Sequence, residues 1–253
     1  ASLHVPGQYP TIQAAINAAE SNDEIIVQPG VYYENINFVG KQISVHSVDP
    51  NDPNVVAGTI IDGSIPTDPN LASVVTFNSG EDNNSILQGF TITGGTGSWI
   101  PVSWKFQGLR WNRCGGGVIC YNLSAPTIAK NVFVGNLAGQ GGAIYIYGNA
   151  VNSTNPVNPS THIKPVIQDN IFMDNTALID HGFTPPNNNY PANDHGDGGA
   201  IVAFQGVDAI VRNNLIQNNR AKYYGGGIHY RQWSNGLIEQ NTIKNNDSAL
   251  GGG

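Results

Sequence analysis

Gly115-Gly116-Gly117-Val118-Ile119-Cys120-Tyr121 opens a unit that the rest of the chain repeats. The glycine trio and its apolar follower return as Gly141-Gly142-Ala143-Ile144, Gly198-Gly199-Ala200-Ile201 and Gly225-Gly226-Gly227-Ile228, and the sequence closes on Gly251-Gly252-Gly253. Two asparagines five positions apart follow each complete trio: Asn131/Asn136, Asn170/Asn175, Asn214/Asn219 and Asn241/Asn246. From the third residue of the trio to the first Asn is 14 positions in three units (117 to 131, 200 to 214, 227 to 241). In the fourth it is 27 (143 to 170), so that unit carries a 13-residue insertion. A fixed period of 26 or 27 residues built from short apolar runs is the signature of a solenoid, in which each unit buries its apolar face only against its neighbours.

Each unit contains three such runs. In the first they are Val118-Ile119-Cys120-Tyr121, Thr127-Ile128-Ala129 and Val132-Phe133-Val134. Runs this short and this rich in β-branched and aromatic residues predict strands rather than helices. Three strands per unit with Gly and Asn at the corners describe one coil of a parallel β-helix, since both residues tolerate the left-handed backbone of tight corners. Stacked Asn side chains can also hydrogen-bond from coil to coil. Ahead of the repeats, Thr11 is placed to cap a short helix whose apolar stripe is Ile12, Ala15, Ile16 and Ala19, spaced i, i+3, i+4, i+7. Such a helix covers the open end of a solenoid and shields its strand edges. Aligning Gly94 with Gly135 extends the register backwards, placing Phe90 and Gly95 where the two Asn columns later begin.

On these motifs the chain resembles the right-handed parallel β-helix proteins of the pectin lyase-like superfamily over nearly its whole length. The stretch from Tyr9 to Val45, YPTIQAAINAAESNDEIIVQPGVYYENINFVGKQISV, is similar to the start of many extracellular β-helix proteins, pectin methylesterases among them. The expectation is an all-β protein: a right-handed parallel β-helix with a short N-terminal capping helix, one domain over residues 1–253 with residues 1–23 as the cap and inserted loops at 96–114, 149–162 and 177–197. The fold is specific and the activity is not, because one architecture hosts many chemistries.

Composition narrows the field. Eleven basic against 18 acidic side chains give a formal net charge of −7 and no basic footprint for nucleic acid. No apolar run reaches the roughly 18 residues of a membrane span. Met173 is the only methionine, so Ala1 is not a translation start; with the family resemblance, a secreted or cell-surface protein that has lost a leader is the expectation. Of the two cysteines, Cys120 alternates with Val118 on the inward face and reads as a buried thiol, with a local bridge to Cys114 as the alternative. The sequence ends on the first residues of a new coil, so either the chain continues or self- or hetero-assembly covers that last coil.

Register locates the candidate site. The first insertion, Thr96 to Cys114, holds Trp99, Trp104, Phe106 and Trp111; the third, Ala177 to Asp197, holds Asp180, His181, Asp194, His195 and Asp197. Both leave the solenoid at the same corner, with the short corner Leu137 to Gln140 between them, so that two tall loops beside a low floor are expected to form a cleft. In the strand after this corner two outward columns form: Ile119, Tyr145, Val202, His229, and Tyr121, Tyr147, Phe204, Arg231. Flat outward aromatics can bind sugar rings, or can lie beneath the inserted loops.

In the superfamily's lyases, the resemblance implies an acidic polysaccharide laid across an outer sheet, calcium or a positive side chain neutralising the uronate, and Lys, Arg or His taking the proton. By type, Lys222, His229 and Arg231 are the candidates, with His181 and His195 as alternates, and His titrates where a general base should. Asp197 with Asp180 and Asp194 could instead act as an acid/base pair in glycoside hydrolysis. Asp180 and Asp194 are also the candidate metal ligands, calcium being the ion the resemblance implies. Trp104, Trp111, Tyr121, Tyr147 and Tyr224 are the candidate sugar platforms. The aspartate-bearing motifs of pectin methylesterases and the calcium-site acids and WIDH-type segment of pectate lyases are missing, which counts against both activities. Two readings remain: an extracellular β-helix that binds or degrades a polysaccharide, and a non-catalytic structural or adhesive solenoid of a cell-surface assembly.

Overall fold

The computed structural model describes residues 1–104, 108–148, 161–178, 184–192 and 195–252. It is a parallel β-helix. Successive runs of each unit go to three different sheets, as the three-strand unit requires. An eight-stranded sheet runs from Ser2–Val5 through Thr127–Ala129 to Asn235–Glu239, a seven-stranded one from Gly30–Tyr32 through Val132–Val134 to Thr242–Lys244, and a six-stranded one from Ile36–Asn37 through Val118–Cys120 to Ile228–Arg231. Every neighbouring pair in these sheets is parallel.

Identical register from coil to coil makes the core a set of columns. Leu87, Ile128, Ile167 and Val211 lie in successive register on the first sheet, and Ile92, Phe133, Phe172 and Ile216 on the second. All are fully buried, and the rings of Phe133 and Phe172 stack 4.8 Å apart at 6°. Cys120 belongs to this core and Cys114 to a second one described below; both are buried, and no disulfide joins them. Burial raises the Cys120 thiol well above its ordinary pKa, with the charge of Glu81 adding to the effect.

The corners explain the glycines and asparagines. Gly141 has a left-handed backbone, φ +64, and a Cβ on Gly142 would sit 2.3 Å from the carbonyl oxygen of Gly199 in the next coil. The first glycine of the trio therefore serves backbone conformation and the second serves close approach of coils. The Asn columns form two continuous ladders. Asn170 donates through its backbone N–H to Asn214 Oδ1 at 2.9 Å and through Nδ2 to the same oxygen at 3.1 Å, to Ile128 O and to Gln168 O, each at 2.9 Å. Asn175 repeats this with Asn219. Phe90 N–H and Gly95 N–H donate to Asn131 Oδ1 and Asn136 Oδ1, so both ladders begin at the positions that alignment of the glycines indicated. The left-handed residue is not the ladder Asn but the one before it: Lys130, Asp169, Asn213 and Gln240 all have φ between 55 and 59. The bend at that residue turns the following Asn inward, where its amide joins the backbone of adjacent coils.

The N-terminal helix α1 (Ile12–Ala18) is capped by Thr11, whose hydroxyl accepts from Ala14 N–H, and buries Ile12, Ala15 and Ile16. Two local features exceed the sequence reading. Ser2–Val5 adds a strand before the cap, aligned with Glu24–Val27. Asp52 caps a short helix, α2 (Pro53–Gly58), with proline at its start.

Candidate functional site

The insertions leave the solenoid where register put them. Isolated bridges join Cys114 to Gln140 and Gln140 to Asp197, so the ends of the two insertions flank the short corner. They do not stand as separate walls. The first forms an antiparallel hairpin, Gly97–Trp104 with Gly108–Cys114, which lies down over the outer face of the six-stranded sheet. There Ile100, Val102 and Trp104 pack on Tyr145, Tyr147, Val202 and Phe204, making a second apolar core outside the solenoid. The hairpin also touches the third insertion: Trp111 N–H donates to Pro191 O at 3.0 Å, its indole donates to Asn187 Oδ1 at 3.2 Å, and its ring lies 5.7 Å from that of Tyr190. The expected cleft is therefore bridged. Arg113, fully buried, anchors the hairpin's foot by donating to Thr96 O, Thr96 Oγ1 and Pro69 O.

At the edge of this second core six of the named residues meet. Asp197, 1% exposed, accepts from Arg231 Nη1 at 2.7 Å, and His229 Nδ1 lies 3.8 Å from the same carboxylate oxygen. The Arg231 guanidinium sits 4.8 Å from the centre of the Trp104 ring, a cation–π contact, and the His195 ring lies 4.6 Å from it at 44°. Register explains the meeting: His229 follows Tyr145 and Val202 in one outward column and Arg231 follows Tyr147 and Phe204 in the other. Tyr224 stacks on His229 at 5.6 Å.

Burial sets the electrostatics. It raises the Asp197 carboxyl to about 6 against the opposing pull of Arg231. It lowers His195 and His229 to about 4 each, helped by the positive charge of Arg231. At neutral pH the cluster is thus one ion pair beside two neutral imidazoles. Among the described residues, His195 Nε2, His229 Nδ1 and Asp197 Oδ1 are buried without a hydrogen-bond partner.

The other named residues lie elsewhere. Lys222 is exposed on the neighbouring corner, and Tyr147 is buried beneath the hairpin, its hydroxyl accepting from Ser103 N–H. Tyr121 is half-buried outside the cluster, where its hydroxyl accepts from Asn78 Nδ2 at 2.9 Å. Asp180, Asp194, His181 and Phe106 fall outside the described residues, as does nearly all of the second insertion. No group of three or more His, Cys, Asp or Glu side chains arranged to hold a metal occurs among the described residues. The loop acids Asp49, Asp52 and Asp82 accept hydrogen bonds from backbone N–H groups two residues on, as turn and cap residues do. Sequence reasoning missed Arg113, and also Asn37 and Thr76, which precede Ile119 in its outward column. Carrying that column back two coils would have found them.

Residues 132–147 match the Chlamydia polymorphic membrane protein repeat. The matched stretch runs from the strand Val132–Val134 through the ladder residue Asn136 and the trio Gly141-Gly142-Ala143 to Tyr147. No curated protein and no solved structure gives a significant match. Among the described residues, no helix is long and apolar enough to cross a membrane.

Proposed function

We propose that this chain is a non-catalytic, adhesive solenoid of a cell-surface or outer-membrane-associated protein. The observation that carries the reading is the commitment of Arg231. An edge N–H of its guanidinium is paired with Asp197 and its carbon lies 4.8 Å from the centre of the Trp104 ring, so the side chain best suited to meet a polyanion instead fastens the hairpin to the coils. The match of residues 132–147 to a polymorphic membrane protein repeat supports the surface setting. The ladders, which tie each coil to the next, and the hairpin, which covers outward apolar side chains, support a structural role. Antibody against the folded chain should label intact cells that make it, and beads coated with it should attach to a target surface more than beads coated with heat-unfolded chain. Labelling only after permeabilisation would contradict the setting, and equal attachment by both bead types would contradict the adhesive role.

A second reading is favoured by one observation. A carboxyl raised to about 6 beside unpartnered imidazole nitrogens is the kind of perturbed group that active sites contain. On that reading the chain acts on a polysaccharide, with Asp197 and His229 as proton-transfer groups.

A further inference from the structure

The outer face of the six-stranded sheet is closed by the hairpin over its later coils, beginning with the fully buried Ile119 of the third, and open over its first two. We propose that the open part is a binding groove for a neutral glycan. This rests on the adhesive reading, to which it gives a ligand class.

Two adjoining cavities, of about 380 Å³ and 150 Å³, share Asn35 and Leu71 and run from the capping helix to the hairpin's foot. The floor of the inner one is the column of Asn37 and Thr76, one residue per coil, which ends at the buried Ile119 of the third. At about 4.8 Å per coil it extends roughly 10 Å along the axis. Its polar groups are held in place before any ligand arrives: Asn37 Nδ2 donates to Asn78 Oδ1 at 3.3 Å and Asn78 Nδ2 donates to Tyr121 Oη at 2.9 Å. Asn35 is fixed by donating to Ser73 O at 3.0 Å. Preorganised polar groups avoid part of the ordering cost of binding.

The lining chemistry selects the ligand. Amides and hydroxyls can each donate and accept, which is what sugar hydroxyls require. Beside them stand apolar surfaces for the C–H faces of a ring: Tyr33, Ile65 and Leu71 are 60%, 69% and 55% exposed and line the outer cavity together. Among the described residues no Lys or Arg lines either cavity, whereas Glu34 and Asp68 line the outer one, so a polyuronate would meet negative charge there. An extended peptide would need a free strand edge. At Asn37, in the edge strand where the sheet begins, the Gln13 amide already takes both backbone groups, accepting from Asn37 N–H at 2.7 Å and donating to Asn37 O at 3.1 Å.

Calorimetric titration of the folded chain tests this with β-linked hexaoses of glucose, xylose, mannose and N-acetylglucosamine, with hexagalacturonate, and with an alternating Ser-Val peptide. Saturable binding of at least one neutral hexaose is expected, weakened roughly tenfold or more by Tyr33→Ala and abolished by Thr76→Arg, which fills the floor. Both positions lie outside the cores, so melting temperatures should be unchanged. Silence from every neutral hexaose, preference for hexagalacturonate or the peptide, or binding that neither variant alters would each overturn the proposal. Release of reducing ends in the same incubations would instead count against the non-catalytic reading and leave the groove assignment standing.

Discussion

Arg231 Nη1 donates to Asp197 Oδ2 at 2.7 Å, joining a strand of the six-stranded sheet to the residue just before the third glycine trio. Through Trp104, which lies 4.8 Å from the Arg231 guanidinium, the same contact reaches the tip of the hairpin's first strand. Three segments distant in sequence are thus pinned at one point.

Removing the cation leaves a buried carboxylate with no counter-charge. Arg231→Met should cost about 3 kcal/mol at pH 7, the lower end for a buried pair because Arg231 keeps some solvent contact. Urea melts would measure it, and Asp197→Asn in the same chain should restore most of the loss.

The pH dependence has opposite signs for the two kinds of group. Asp197, raised from 3.8 to about 6, contributes stability below about 4 that is lost as pH rises to about 6. His195 and His229, lowered from 6.5 to about 4, contribute stability above 6.5 that is lost as pH falls to about 4. Two imidazoles against one carboxyl leave a net loss on acidification through that window. Asp197→Asn removes the counterweight, so its Tm should fall more steeply than that of the unmodified chain between pH 6 and 4. Parallel curves would contradict the assignment.

Trp104 is 4% exposed and packs on Phe204 at 5.0 Å over the second core. Trp104→Ala should cost about 3–5 kcal/mol. It should also uncover Tyr147 and Phe204, read as increased binding of a dye that fluoresces on apolar surfaces.

Gly142→Ala places a methyl 2.3 Å from one backbone oxygen and 2.7 Å from Thr176 N, between coils that cannot separate without breaking ladders. A loss of about 3 kcal/mol or more is expected. Gly80 has φ +77 with nothing within 4 Å of its would-be Cβ, so Gly80→Ala should cost only the left-handed backbone penalty, about 1 kcal/mol. Comparing their Tm values separates close packing from conformation.

Much of this was legible because a solenoid repeats its instructions. The glycine trios and the paired asparagines fixed coil, corner and register, and register placed His229 below Val202 and Arg231 below Phe204. The hairpin was not legible. Trp99, Trp104 and Trp111 mark an apolar insertion, but nothing local says whether such a segment stands up or lies down. That depends on the outward Tyr145, Tyr147 and Phe204, which offer it a surface only after the coils have stacked. The bend before each ladder Asn was hidden for a similar reason. Lys130 and Gln240 carry no strong left-handed preference and adopt that conformation where the following amide is held in the ladder.

The central claim, that the Asp197 cluster fastens the hairpin and performs no chemistry, is tested most directly by turnover. Folded protein should be incubated with a panel of acidic and neutral polysaccharides, with and without calcium, while the absorbance of unsaturated uronate and the release of reducing ends are followed together. The account predicts no change in either signal. Product that forms with the unmodified chain and disappears with folded Asp197→Asn and His229→Ala variants would contradict it and establish the cluster as an active site.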